Sequence, residues 1–204
     1  LDKYINTKTD DVIKKWDNIN LDSKINIQMN EYLFLNFNYT DTISYLVQKS
    51  DIYSISMSIH GNIKKPNDII FGFGDENTNE YREIENSEDV FLENIKSFKY
   101  LKNNNYDKLM GFIDSDHYEV YLLGHSCSVT DRVLLKKIFE SPNCITIKII
   151  PKHGNYDERL ENYNQILYNI ARIFEDNGMM REKVIPFQYC DVHLPNIKKF
   201  EITI

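Results

Sequence analysis

Short apolar runs separated by polar breaks dominate the middle of the chain. Tyr32 to Phe37 (YLFLNF) is an apolar run of strand length. Asn38-Tyr39-Thr40-Asp41 breaks it, and Thr42 to Gln48 suits a helix capped by Thr40 or Asp41. From Tyr53 to Ile59, Tyr, Ile, Met and Ile alternate with Ser, the period of a half-buried strand. That pattern stops at His60-Gly61. Ile69-Ile70-Phe71 is a brief strand candidate ending in Gly72-Phe73-Gly74-Asp75-Glu76. Before these runs the first thirty residues are polar, with Val12, Ile13 and Trp16 on one helical face behind Asp10 or Asp11.

From Ser87 the period changes. Val90, Phe91, Ile95, Phe98 and Leu101 predict a helix with Ser87 as its N-cap, broken by Asn103-Asn104-Asn105. Tyr118 to Leu123 (YEVYLL) predicts a strand ended by Gly124-His125-Ser126. Val133, Leu134, Lys137 and Ile138 predict a helix that closes at Ser141-Pro142, because the residue before proline disfavours helical backbone. Cys144 to Ile150 (CITIKII) is a β-branched strand stopped by Pro151. Leu160, Tyr163, Ile166, Leu167, Ile170, Ile173 and Phe174 make the clearest amphipathic helix, with Gly178 as its C-terminal stop. Strands alternating with helices predict an α/β fold with a largely parallel sheet, carried best by residues 118–150 and 157–188. No repeat or linker divides the chain, so the whole of 1–204 reads as a single domain.

Composition narrows the partners. The 204 residues carry 24 Lys+Arg against 31 Asp+Glu, a net charge of −7, which argues against a direct nucleic-acid binder. Cys127, Cys144 and Cys190 stand at no metal-ligand spacing and read as reduced thiols of a cytoplasmic protein. No apolar run reaches the roughly 18 residues of a membrane span, and no metal is called for. The chain opens on Leu1 rather than Met, as a fragment or a trimmed protein does. Its single alanine, Ala171, and abundant Asn, Lys, Ile and Tyr look like an AT-rich coding sequence, which weakens any argument from one isolated Asn or Tyr.

Three polar clusters follow predicted strands: Asn38-Tyr39-Thr40, His60-Gly61 and Gly124-His125-Ser126. In an open parallel sheet, ligands bind beyond the carboxyl ends of the strands. Parallel neighbouring strands would therefore bring the three clusters to one crevice; the plainer alternative is three ordinary polar loops. His60 has the imidazole chemistry of a general base, or is a loop histidine satisfied by backbone. Asn38 can hold a hydroxyl or a water, or cap the next helix. Gly72-Phe73-Gly74 lacks the third spaced glycine of a phosphate loop.

A competing pattern is Gly124-His125-Ser126-Cys127-Ser128 between a strand and a helix. It resembles the G-x-S-x-G elbow of α/β-hydrolases, with Ser126 as nucleophile, His153 or His193 as base and Asp131 as acid. Ser128 replaces the glycine that allows the tight turn, and Asn38 has no role in that chemistry.

Taken in order, LFLNFNYTDTISYL, SISMSIHGNI, IIFGFGDE and VYLLGHSCSVTDRVLLKKIF resemble the bacteriophage abortive-infection AbiH family over about residues 30 to 176. That family looks distantly related to sirtuin-like NAD-binding domains. The resemblance implies a Rossmann-like three-layer fold, with a largely parallel sheet flanked by helices, and NAD as substrate or ligand. Asn38 matches the asparagine that contacts the nicotinamide ribose and the attacking water, and His60 matches the histidine that acts on a ribose hydroxyl. Thr40 falls where many such domains have Asp, and Asp41 stands one place later. Gly61 completes the His-Gly pair. Gly124, His125 and Ser126 match the turn on the adenosine side, and Asp131 matches the acidic residue after it. The family pattern also has an N-terminal strand and a glycine loop, which residues 1 to 31 do not contain.

The implied chemistry is hydrolysis of the N-glycosidic bond of NAD. Nicotinamide leaves neutral, so no strong general acid is needed; Asn38 positions water and His60 draws a proton. The implied setting is antiviral abortive infection in the cytoplasm, set off by a phage-derived trigger or by homo-oligomerisation. NAD hydrolysis ranks first, a non-catalytic nucleotide-binding or assembly module second, and a serine hydrolase using Ser126 third.

Overall fold

The computed structural model describes residues 32–44, 54–72, 79–86, 88–93 and 95–190. Four strands form among them: β1 (Tyr32–Asn36), β2 (Ser54–Ser58), β3 (Tyr118–Leu123) and β4 (Cys144–Ile150). They make two small parallel sheets, β1–β2 and β3–β4. Helices flank them: α1 (Asn79–Glu85), α2 (Asp89–Leu92), α3 (Lys96–Tyr100), α4 (Asn105–Ser115), α5 (Arg132–Glu140), α6 (Tyr156–Ile173) and α7 (Asn177–Lys183). The fold is thus mixed α/β, as the alternating pattern predicts.

Each sheet has two chemically different faces. In β1–β2, Leu33 and Leu35 lie beside Ile55 and Met57, while Phe34 and Asn36 lie beside Ser56 and Ser58. Ser44, in a helical turn after β1, meets Ser56 hydroxyl to hydroxyl at 2.9 Å and so closes over the serine face. In β3–β4, Val120 and Leu122 lie beside Ile147 and Ile149, and Glu119 and Tyr121 beside Thr146 and Lys148. Both faces of β4 are covered, so even Thr146 and Lys148 are buried. Its far edge is extended by a parallel bridge to Val184, where the Ile185 N–H donates to the Ile147 carbonyl at 2.9 Å.

The helices that cover these strands present the stripes their sequences carry. Leu134, Leu135, Ile138 and Phe139 of α5 are buried, as are Tyr163, Ile166, Ile170 and Ile173 of α6. Lys183 donates from Nζ to the carbonyls of Phe139 and Ser141, at 2.9 and 2.8 Å, and so satisfies the open end of α5. Asn155 and Glu158 form a reciprocal capping box at the start of α6. Buried residues of both sheets, from Met57 and Ile59 to Ile147 and Ile149, join in one hydrophobic core.

Several expectations are corrected. Residues 69–71 are not a strand: a 3₁₀ turn at Pro66–Asp68 leads into them, the Ile69 N–H donates back to the Pro66 carbonyl at 3.3 Å, and the Ile70 N–H donates to the His60 carbonyl at 2.9 Å. The single helix expected from Ser87 is broken into α2 and α3, because Ile95 takes extended backbone. Val90, Phe91, Phe98 and Leu101 consequently face outward, and Ile95, Lys96 and Tyr100 are the buried positions. Helix α4 is additional to the elements the apolar pattern predicts; Leu109 and Ile113 anchor it, and the Asn105 N–H on its first residue donates to the Asn103 side chain at 2.9 Å. Gly178 does not stop α6, which ends at Ile173 with Phe174 extended and buried; Gly178 lies in α7 and donates its N–H to Asp176. The helix expected around Val12 and Trp16 falls outside the described residues.

The cap and the core make unequal contributions. Asn155→Ala should cost about 1 kcal/mol, the usual worth of an N-cap. Phe139→Ala, at a fully buried site, should cost about 3–5 kcal/mol. Urea midpoints measured at constant slope check both values.

Candidate functional site

β1 and β2 are parallel neighbours, so their carboxyl ends lie side by side. One amide shapes the exit from β1. Asn36 is buried; its Nδ2 donates to the Thr40 carbonyl at 2.8 Å and to Ser58 Oγ at 3.3 Å, while its Oδ1 accepts the Asn38 N–H at 3.0 Å. The loop so closed sets Phe37 between two imidazoles, its ring centroid 5.3 Å from that of His60 and 4.2 Å from that of His125. The end of β3 therefore meets the ends of β1 and β2.

Glycine is required just after His60. Gly61 has φ +81°, and a Cβ there would stand 2.1 Å from the Asp68 carbonyl oxygen. The turn after β3 is also left-handed in places, at Gly124 (φ +69°) and at buried Cys127 (φ 54°). The Cys127 N–H donates to His125 Nδ1 at 3.1 Å, so that nitrogen is an acceptor and the ring proton sits on Nε2. Ser128 then caps the 3₁₀ turn Val129–Asp131, which delivers the Asp131 side chain inward.

Asp131 is the hub of the site. It is buried, and its Oδ1 lies 2.7 Å from Lys96 Nζ and 3.2 Å from His60 Nε2, with Oδ2 3.5 Å from His125 Nε2. Burial by itself pushes the carboxyl up. Hydrogen bonds from His125, His60 and Lys96, together with the lysine charge, outweigh it and hold Asp131 well below the usual carboxylate range. His60 is held at both ring nitrogens. Nδ1 faces the Phe37 carbonyl at 3.3 Å and must donate there, and Nε2 lies 3.1 Å from the Tyr100 hydroxyl. Burial, and then the Asp131 charge, push the Tyr100 phenol well above its ordinary range, so it stays a hydroxyl.

The structure brings His60, His125 and Asp131 together and places Gly61 directly behind them. Asn38 is exposed at the rim, as are Gly124 and Ser126. Thr40 enters through its carbonyl only, which Asn36 holds. Asp41 is turned to a different neighbourhood, where it accepts from Asn62 and pairs with Lys64 Nζ at 2.9 Å. The strained backbone of the elbow-like turn falls on Cys127 rather than Ser126, and burial followed by the Asp131 charge pushes that thiol up to about 12. His125 is not aimed at Ser126, since its nitrogens face Cys127 and Asp131. Among the described residues no group of His, Cys, Asp and Glu is arranged to hold a metal ion. No described helix is long and apolar enough to cross a membrane.

Sequence reasoning missed Asn36, Phe37, Lys96 and Tyr100. A signal existed for two of them: Lys96 and Tyr100 are four apart, the spacing that puts side chains on one helix face. Asn36 carried none, being one polar residue ending an apolar run.

A family model described as bacteriophage abortive infection AbiH matches residues 1–152. The chain belongs to the AbiH family. That match spans β1 to β4 and so contains every residue of the Asp131 cluster, while α6 and α7 lie beyond it. No curated protein and no solved structure matches the chain. The AbiH assignment thus places the protein with phage abortive infection.

Two outcomes follow for this AbiH chain. Gly61→Ala should destabilise the fold by about 1–3 kcal/mol, the range for forcing a side chain into strained backbone, with the Asp68 clash added to it. Thermal unfolding checks that loss. Asp131, whose folded value is depressed, contributes stability that is present above the unfolded carboxylate value of about 3.9 and is lost as pH falls below it. Stability of the native protein should therefore drop more steeply below about pH 4 than that of Asp131→Asn. Urea midpoints taken from pH 6 down to pH 2.5 measure the difference.

Proposed function

We propose that this AbiH protein binds NAD at the converging strand ends and hydrolyses its N-glycosidic bond, with His60 as the base. One observation carries the proposal: His60, His125 and Asp131 meet where the ends of β1, β2 and β3 come together. A base needs a fixed orientation, and the Phe37 carbonyl supplies it at Nδ1. That leaves Nε2 as the nitrogen for proton transfer, where a ribose hydroxyl or a water would take the place of the Tyr100 hydroxyl. Asn38 at the rim supplies an amide to hold the attacking water or the nicotinamide ribose. Thr40, Gly61, Gly124, His125, Ser126 and Asp131 would line the remainder of the proposed NAD site, with Asp41 beside it against Asn62 and Lys64. The two parallel sheets would be parts of a Rossmann-like, sirtuin-like three-layer domain, in which such strand ends form the ligand crevice. Depletion of cytoplasmic NAD, timed by a phage-derived trigger or by self-association, would then halt an infected cell.

A second proposal, binding without catalysis, is favoured by a specific observation. The His60 side chain is only 5% exposed, and both ring nitrogens already have protein partners. A nucleotide-sensing or assembly module would need no freer histidine than this.

Nicotinamide release and NAD calorimetry separate the two. For a hydrolase, His60→Ala should lower turnover roughly 10²- to 10⁴-fold, the usual worth of a proton-transfer catalyst, while NAD still binds. Ser126→Ala should weaken NAD binding by at most about tenfold, one neutral hydrogen bond, and leave saturated turnover intact. NAD binding without nicotinamide release by the native protein would establish the binding module. Esterase activity abolished by Ser126→Ala would put the serine hydrolase first.

A further inference from the structure

A buried lysine at the first position of a helix is a costly choice. Lys96 is 7% exposed, it begins α3, and a cation is disfavoured at a helix N-terminus. An apolar residue of similar length would pack there without charge. The group that Lys96 meets is Asp131, at 2.7 Å, and on Oδ1, the same oxygen that lies 3.2 Å from His60 Nε2.

We infer that Lys96 is a positioning residue that sets the charge state of His60 by occupying the Asp131 carboxylate. This rests on His60 being the base of the proposed reaction. An ionised carboxylate beside an imidazole favours its protonated form. A protonated histidine cannot accept a proton and is lost as a base. Lys96, closer to the shared oxygen than His60 is, balances part of the carboxylate's charge and so opposes protonation of His60. Nδ1 donates to the Phe37 carbonyl, and Nε2 stands between the Tyr100 hydroxyl and Asp131 Oδ1, so the Lys96–Asp131 pair bears on that nitrogen directly. His125 serves the same end from the other side, since its Nε2–H faces Oδ2.

No other described group near His60 supplies that balance. Tyr39, from the loop after β1, and Tyr100, from α3, face it as neutral hydroxyls, both pushed up by burial and then by the Asp131 charge. Cys127, in the turn after β3, is a neutral thiol for the same two reasons. His125 presents a ring N–H. The formal charges that decide His60 are therefore Asp131 and Lys96.

The test reads the His60 ring nitrogens by ¹⁵N NMR in the intact chain without NAD, so it stands whether or not NAD is the substrate. Lys96→Met should raise the ratio of protonated to neutral His60 by about tenfold or more at a given pH, the effect of an opposite charge left unbalanced a few ångströms away. It should also move the pH profile of nicotinamide release toward higher pH, while Lys96→Arg keeps the native profile. Lys96→Met/Asp131→Asn, which leaves neither charge, should return His60 to the native ratio, a reversal that a merely structural lysine would not produce. Should Lys96→Met fail to fold, the double variant is compared with Asp131→Asn, in which the unpaired lysine should make His60 harder to protonate. Identical ring-nitrogen titrations in Lys96→Met and the native protein, or in the fallback pair, would overturn the inference. Absence of nicotinamide release with the NMR pattern intact would overturn NAD hydrolysis alone.

Discussion

A carboxylate sealed inside a protein must be surrounded by donors or give up its charge, and Asp131 is surrounded. Three side chains from three separate segments converge on it: Lys96 from α3, His60 from the end of β2 and His125 from the turn after β3. Each is itself a polar group that would be costly to bury alone. Their mutual satisfaction requires that the ends of β2 and β3 and the start of α3 be held to within hydrogen-bond distance of one another. Buried ion pairs of this kind are poor sources of net stability, but removing one partner leaves an uncompensated charge. The cluster therefore acts as a geometric constraint that ties local backbone features to one point.

Those local features make sense in that light. Ile95 leaves helical backbone, and α3 restarts with Lys96 and Tyr100 turned inward, at the expense of exposing Phe98 and Leu101. Gly61 takes a conformation closed to other residues because the Asp68 carbonyl occupies the space of a side chain. Asn36 spends every polar atom of its amide on closing the loop that seats Phe37 between the two histidines. The apolar core beneath, centred on β4, α5 and α6, is conventional by comparison. It supplies the rigid floor on which a polar cluster can be held in register.

The AbiH match covers the strands and turns that make this cluster and stops just after β4. Its boundary falls between two kinds of structure. Before it lies the part with buried polar chemistry; after it lie α6 and α7, which pack on the core, and α6 also reaches back to the turn after β3, where Asn169 Nδ2 donates to the Ser126 carbonyl at 2.8 Å.

Much was legible from residue pattern. β1, β2, β3, β4, α5 and α6 each carry a local signal strong enough to stand alone: a period of two, a β-branched run, an amphipathic stripe, a proline stop. His60, His125 and Asp131 were legible as candidates because each closely follows a strand, where ligand sites collect. What the sequence by itself determined is therefore the set of elements whose apolar period is local. Tertiary structure alone decided the rest: that the helix expected from Ser87 breaks at Ile95, that Gly178 lies inside α7, and that Lys96 and Tyr100 join the site. The physical reason is shared by the break at Ile95 and by the inward turn of Lys96 and Tyr100. An apolar stripe is a property of neighbours in sequence, whereas the place of a buried charge is set by partners 35 residues away, as Lys96 is from Asp131.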